Sequence, residues 1–132
     1  MSVNLCRWRL EKAEKTFIEG DQLLELGSYN GAINRFYYAA FHAVRALLAT
    51  KKLDAAKHSG VIALFNREFV KTGVINKKAS KTLSMVFALR SEADYDDFRN
   101  FGLQEVKEAR NAVRSLIDEI SAFLSGTSRE GS

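Results

Sequence analysis

The sequence predicts an all-α protein, a five-helix up-and-down bundle, and three observations carry that prediction. Proline is absent from all 132 residues, so no helix is forced to kink by a missing backbone donor. Alanine, leucine, lysine and glutamate fill long stretches, whereas the alternation of β-branched and polar residues that marks strands is hard to find. The breaks are short and glycine-bearing or polar, and short links between long helices make neighbours antiparallel.

The first helix is expected over about 4–26, with Leu10, Ala13, Phe17 and Leu24 on one side and Gly27 as its stop. Ser28 is placed to cap the second, which continues to about Ala49. The polar link "TKKLDAAKHSG" leads to a third helix over about 60–71, ended by Gly73. Asn76 is placed to cap the fourth, which reaches about Asp94. After "DDFRNFG" a fifth runs from Leu103 to Leu124, where Leu103, Val106, Val113, Ile117, Ile120 and Leu124 keep a 3-4 apolar spacing. Residues 1–125 are thus expected to form one domain, and 126–132 a frayed C-terminal tail.

Composition narrows the function classes. The 46% hydrophobic and 27% charged fractions are those of a globular chain rather than a disordered one. The lone cysteine, Cys6, excludes an internal disulfide and a multi-cysteine metal site, and fits a reducing cytosol. The opening "MSVNLCRWRLEKAEKTF" mixes charges through its apolar residues, unlike a leader, and no run is apolar enough to span a membrane. A cytoplasmic protein without membrane contact is expected. The net charge of +4 leans only slightly towards a polyanionic partner.

Within the second helix, Ile33, Phe36, Tyr37, Ala40, Phe41, Val44, Leu47 and Leu48 form one wide apolar stripe, read as core. Gly31, Arg35, Tyr38, His42, Arg45 and Ala49 recur on the other side at steps of three and four. That second stripe admits three readings. It is a solvated face on which Tyr38 and His42 stack, a contact with another helix, or a phosphate site with forked arginine donors and stacking rings.

On the fourth helix, Leu83, Val86, Phe87, Arg90 and Asp94 continue one row. Arg90 falls at the edge of the buried stripe, where Asp94 one turn on is its natural partner. The pair is either an ion pair that finishes the bundle or an arginine held rigidly in a cleft and aimed at a phosphate. Asp94 and Asp96 flank Tyr95, but Mg²⁺ chemistry on such a pair also needs a Gly-Ser turn on a nearby hairpin. The sequence has none there, so neither a metal nor another cofactor is expected. No Walker loop, nucleophile elbow or His-x-x-x-His pair occurs.

Taken together, "YNGAINRFYYAAFHAVRALL", "KHSGVIALFNREFVKTG" and "LRSEADYDD" resemble the HEPN domain family (higher eukaryotes and prokaryotes nucleotide-binding), most of all its small stand-alone prokaryotic branch. The resemblance spans about 8–124. It implies a homodimer with a composite cleft, a cytoplasmic location and, in many members, pairing with a minimal nucleotidyltransferase as toxin and antitoxin. Active members are metal-independent endoribonucleases that use an arginine followed, after four to six residues, by a histidine. Arg90 matches the arginine, but Tyr95 stands where several active members have the histidine, and a phenol is a poor base at neutral pH. Arg35 and His42 satisfy the spacing formally, on the second helix instead of the late one.

The leading expectation is therefore a HEPN-like module that binds a nucleotide or RNA, with catalysis left open. Arg90 is the anion contact, Asp94 its orienter and Tyr95 a stacking or hydrogen-bonding group. Tyr38 and Arg45 are further contacts, as are Lys57 and His58 at the entrance to the third helix. The alternatives are an endoribonuclease toxin using Arg90 with Tyr95, or Arg35 with His42, and a purely structural helical adaptor.

Overall fold

The structure is a computed structural model that describes the backbone of residues 2–96 and 98–130, and the side chains of 5–96 and 98–126. Five α-helices follow in order: α1 (Ser2–Glu25), α2 (Tyr29–Ala49), α3 (His58–Phe65), α4 (Lys77–Tyr95) and α5 (Leu103–Glu130). A π-helical turn, Asn66–Val70, continues α3, and no strand is present among the described residues. The expected all-α bundle is the observed fold.

The helix stops follow from local chemistry. Gly27 adopts φ +77°, its N–H donates to the Leu24 carbonyl at 3.0 Å, and the Ser28 N–H donates to Leu23 at 2.9 Å. This is the left-handed Schellman ending that glycine allows without a Cβ clash. Gly73 plays a similar part after the π turn, at φ +81°. Asn76 caps α4, its side-chain oxygen accepting from the Lys78 N–H at 2.8 Å. Ser28 precedes α2 but makes no side-chain cap bond. The third helix begins at His58, two residues before the expected Gly60, so His58 and Lys57 lie at the helix entrance itself. Helix α5 continues past Leu124 to Glu130, because no proline ends it; Gly131 and Ser132 of the expected tail lie outside the described residues.

Helix α2 is the axis of the molecule, packed against α1, α3, α4 and α5. All eight residues of its expected core stripe are buried, and Ala32, Ala39, Ala43, Ala46 and Ala49 are buried beside them. Small alanines let four neighbours approach one helix closely, which a single apolar stripe would not require. The core also includes Phe17 of α1, Val61 and Phe65 of α3, Phe69, Leu83 and Val86 of α4, and Val106, Val113, Ile117 and Ile120 of α5. Helices α1 and α5 are also tied by charge: Arg110 forks onto Asp21 at 2.7 and 3.0 Å, and Arg114 onto Glu14 at 3.0 and 2.7 Å. Both guanidiniums lie against the Phe17 ring, 5.0 and 4.7 Å from its centre. Among the described residues, helices α1 and α4 do not touch one another. The second stripe of α2 lies between them, reaching α1 through Arg35 and Glu19 and α4 through Tyr38 and Arg90.

Candidate functional site

Arg90 lies at the α2–α4 contact with its side chain only 19% exposed. A charged group at that depth must be compensated. Asp94 supplies the charge: its Oδ2 is 2.8 Å from Arg90 Nε, one helical turn on as its spacing requires. That oxygen lies off the N–H direction, so Nε–H remains a buried donor without a hydrogen bond even though it touches its counter-ion. Nη2 donates to the Tyr38 hydroxyl at 3.2 Å. The guanidinium also lies 5.5 Å from the centres of both the Tyr37 and Tyr38 rings. Nη1 makes no hydrogen bond among the described residues, and unlike Nε it is not sealed from solvent. Arg90 is thus a fixed cation with one open edge.

His58 reaches the same tyrosines from α3. Its Nδ1 is 2.8 Å from the Tyr37 hydroxyl, and its ring lies 4.3 Å from Phe41 and 5.9 Å from Tyr38. Burial lowers the His58 pKa below its ordinary 6.5, helped by the positive charges of Arg90 and Arg45. Burial raises that of Tyr37, so the phenol keeps its proton. The fully buried Tyr37 hydroxyl needs an acceptor, and neutral His58 Nδ1 is the one at hand. With Nδ1 accepting, Nε2–H becomes a donor.

The other face residues of α2 sort into two groups. Tyr38 and His42 are half-buried, with rings 6.2 Å apart, and Arg35 lies 5.4 Å from the Tyr38 ring. His42 is pushed down to about 4 by burial and by the charges of Lys12, Arg45, Arg35 and Arg9, and so is neutral at pH 7. Arg35 is engaged by Asn34 at 2.7 Å and by Glu19 of α1 at 3.6 Å. Gly31 serves the α1 contact: a Cβ there would stand 3.3 Å from Leu23. Arg45 is bound to Asp54 at 2.7 Å, and Arg9 of α1 joins them through Asp54 at 3.3 Å and the Arg45 carbonyl at 3.1 Å. The second stripe is therefore a helix contact at its α1 edge, and towards α4 it presents the half-buried Tyr38 ring to Arg90.

Arg90, Asp94, Tyr38 and His58 are thus brought together. Tyr95 is not: five residues from Arg90 it is about 140° round the helix, and it is 80% exposed with no hydrogen bond among the described residues. Lys57 stands next to His58 at the start of α3 but is exposed, and its side chain makes no hydrogen bond or ion pair among the described residues. Tyr37, Phe41, Asp54 and Arg9 belong to this region although the sequence offered no reason to single them out. Tyr37 and Phe41 look like core residues by spacing, and the polar tip of a buried tyrosine was the one available signal.

The family model described as the HEPN domain matches residues 6–123. The chain belongs to the HEPN domain family. Among its relatives is a UPF0332 protein of Thermotoga maritima, 38% identical over 122 residues, 92% of either chain. Two Methanocaldococcus jannaschii proteins whose names designate them candidate toxins are 38% and 40% identical over 87 and 86 residues. Those matches cover 66% and 65% of this chain, and 59% and 64% of the two proteins. No helix among its described residues is long and apolar enough to cross a membrane.

Proposed function

We propose that this HEPN domain binds the phosphates of RNA or of a nucleotide at Arg90, where α4 meets the second stripe of α2, as a homodimer partnered by a minimal nucleotidyltransferase in a toxin–antitoxin type pair. The observation that carries the reading is Arg90, whose position is fixed by Asp94, Tyr38 and two aromatic faces while Nη1 stays open. Such a cation loses little further side-chain entropy when an anion arrives. The His58 Nε2–H is a second donor beside it, and Tyr38 and His42 offer rings on which a base can stack. The toxin designation of two relatives supports the pairing.

The test is a titration of the protein with labelled single-stranded RNA and with ATP, comparing wild type and Arg90→Ala. A loss of about tenfold or more in affinity is expected from removing a charge-assisted phosphate contact. Binding unchanged by Arg90→Ala would remove this site, and no binding by wild type would leave the helical adaptor. Light scattering that finds a monomer at micromolar concentration would remove the homodimer.

Endoribonuclease activity is a second reading, favoured by the proximity of His58 to the tyrosines that hold Arg90. In it the ribose 2′-OH gives its proton to His58 Nε2 and attacks phosphorus. The 5′-oxygen then leaves with a proton from water, and a cyclic phosphate remains, with Arg90 stabilising the added charge. His58 must first take its other tautomer, with Nδ1–H donating to the Tyr37 oxygen. Cleavage in EDTA by wild type, abolished in both Arg90→Ala and His58→Ala, would establish this reading; no cleavage by wild type would end it.

A further inference from the structure

A second basic feature lies away from Arg90. The π turn and the first turns of α4 enclose a groove of about 730 Å³, with Arg67, Lys71, Lys77 and Lys81 on its rim and Ala63 and Val70 as its aliphatic lining. The walls are pinned together by Ser80, whose hydroxyl donates to the Asn66 side-chain oxygen at 2.6 Å. One wall is irregular: the Lys71 N–H donates to the Asn66 carbonyl at 2.8 Å, five residues back, the wide spacing of a π turn. Such turns cost helix regularity and are kept mostly where they shape a site.

The charges on this rim oppose the local backbone field. The first turn of α4 carries Lys77 and Lys78 and no acidic residue, at the helix end where the backbone dipole is positive. Glu68 is taken by Arg67 at 3.0 Å and by Lys51 at 3.5 Å, and Glu119 accepts the Asn76 N–H at 2.9 Å. Lys71, Lys77 and Lys81 have no ion-pair partner among the described residues. The arrangement is unfavourable in the free chain and is relieved by an anionic occupant.

We propose that this groove is a docking site for an acidic, amphipathic segment of a partner protein, its carboxylates meeting the lysines and its aliphatic side chains meeting Ala63 and Val70. Charge complementarity calls for an anion, and the lining selects among anions. No aromatic ring lines the groove, so it lacks the stacking platform that single-stranded nucleic acid uses. The exposed alanine and half-buried valine, with lysine stems along the rim, suit aliphatic side chains. Val74, 45% exposed in the loop joining the two walls, extends the apolar surface. The site is separate from Arg90, since nine residues from Lys81 to Arg90 mean about 13 Å along α4 and about 180° around it.

Fluorescence anisotropy on the full chain tests this with three labelled probes: a peptide of leucine and glutamate at helical spacing, the same peptide with serine for leucine, and an oligouridylate. The first should bind wild type best among the peptides. Its affinity should fall about tenfold or more in Lys77→Glu/Lys81→Glu but little in the charge-matched Lys15→Glu/Lys107→Glu or in Arg90→Ala. Lys77→Gln/Lys81→Gln, a milder change, should give a smaller loss and replaces the charge reversal if that variant does not fold. Equal loss in the two charge-reversed variants would reduce the effect to net charge and overturn the proposal, as would no peptide binding. Oligouridylate binding that fails in the groove variant while peptide binding persists would assign the groove to RNA instead. Failure at Arg90 with success here, or the reverse, separates this proposal from the function proposed above.

Discussion

Arg90 Nη2 donates to the Tyr38 hydroxyl at 3.2 Å, joining α4 to α2 across 52 residues of sequence. The bond fixes which edge of the guanidinium faces solvent. Tyr38→Phe keeps the ring against the cation and deletes only the acceptor, so it should cost about 0.5–1.5 kcal/mol in urea unfolding. It should also weaken RNA binding severalfold. A variant equal to wild type in both measurements would show that the bond does not position Arg90.

Acid should destabilise the protein through His42. Its pKa is about 4 in the folded chain against an ordinary 6.5, so between those values the unfolded chain binds more protons than the folded one. Stability therefore falls as pH is lowered from about 6.5 to about 4 and the contribution is flat below. The His58 shift has the same sign. His42→Gln, which cannot take up that proton, should show a shallower loss across this window. Parallel curves for the two proteins would mean that His42 titrates normally.

Gly20 lets α1 lie tightly against Phe36 of α2. A Cβ at Gly20 would stand 2.5 Å from the Phe36 ring, which is fully buried and cannot swing aside. Gly20→Ala should thus destabilise by about 1–3 kcal/mol despite the better helix propensity of alanine. Thermal melts that show equal or higher stability would mean the two helices can shift apart freely.

Lys52 ends the extension of α2 in the left-handed region, at φ 57°, with Leu53 N–H donating to Leu48 at 3.0 Å and Lys52 N–H to Ala49 at 3.1 Å. This repeats the ending found at Gly27 but with a side chain that disfavours it. Lys52→Gly should stabilise the protein by about 0.5–1 kcal/mol. A loss of stability would point to a role for the lysine side chain.

What local chemistry dictates was legible in the residues themselves. Gly27 and Gly73 stop helices because a positive φ suits glycine, Asn76 caps α4 with its own side chain, and the α2 stripe from Ile33 to Leu48 is buried because apolar residues repeat at helical period. The Arg90–Asp94 contact is likewise a one-turn relation within a single helix. The helix angles and loop paths that bring residues 37, 38, 58 and 90 together are not written in any period. His58 is a helix-entrance residue by sequence, and only the packing of α3 lays it on Tyr37; Arg45 is a candidate contact by sequence, and only the loop path brings Asp54 back to it. Tyr95 shows the converse, since sequence proximity to Arg90 places it on another side of the same helix. Sequence fixes faces within a helix, whereas the packing of bulky and small side chains between helices decides which faces meet.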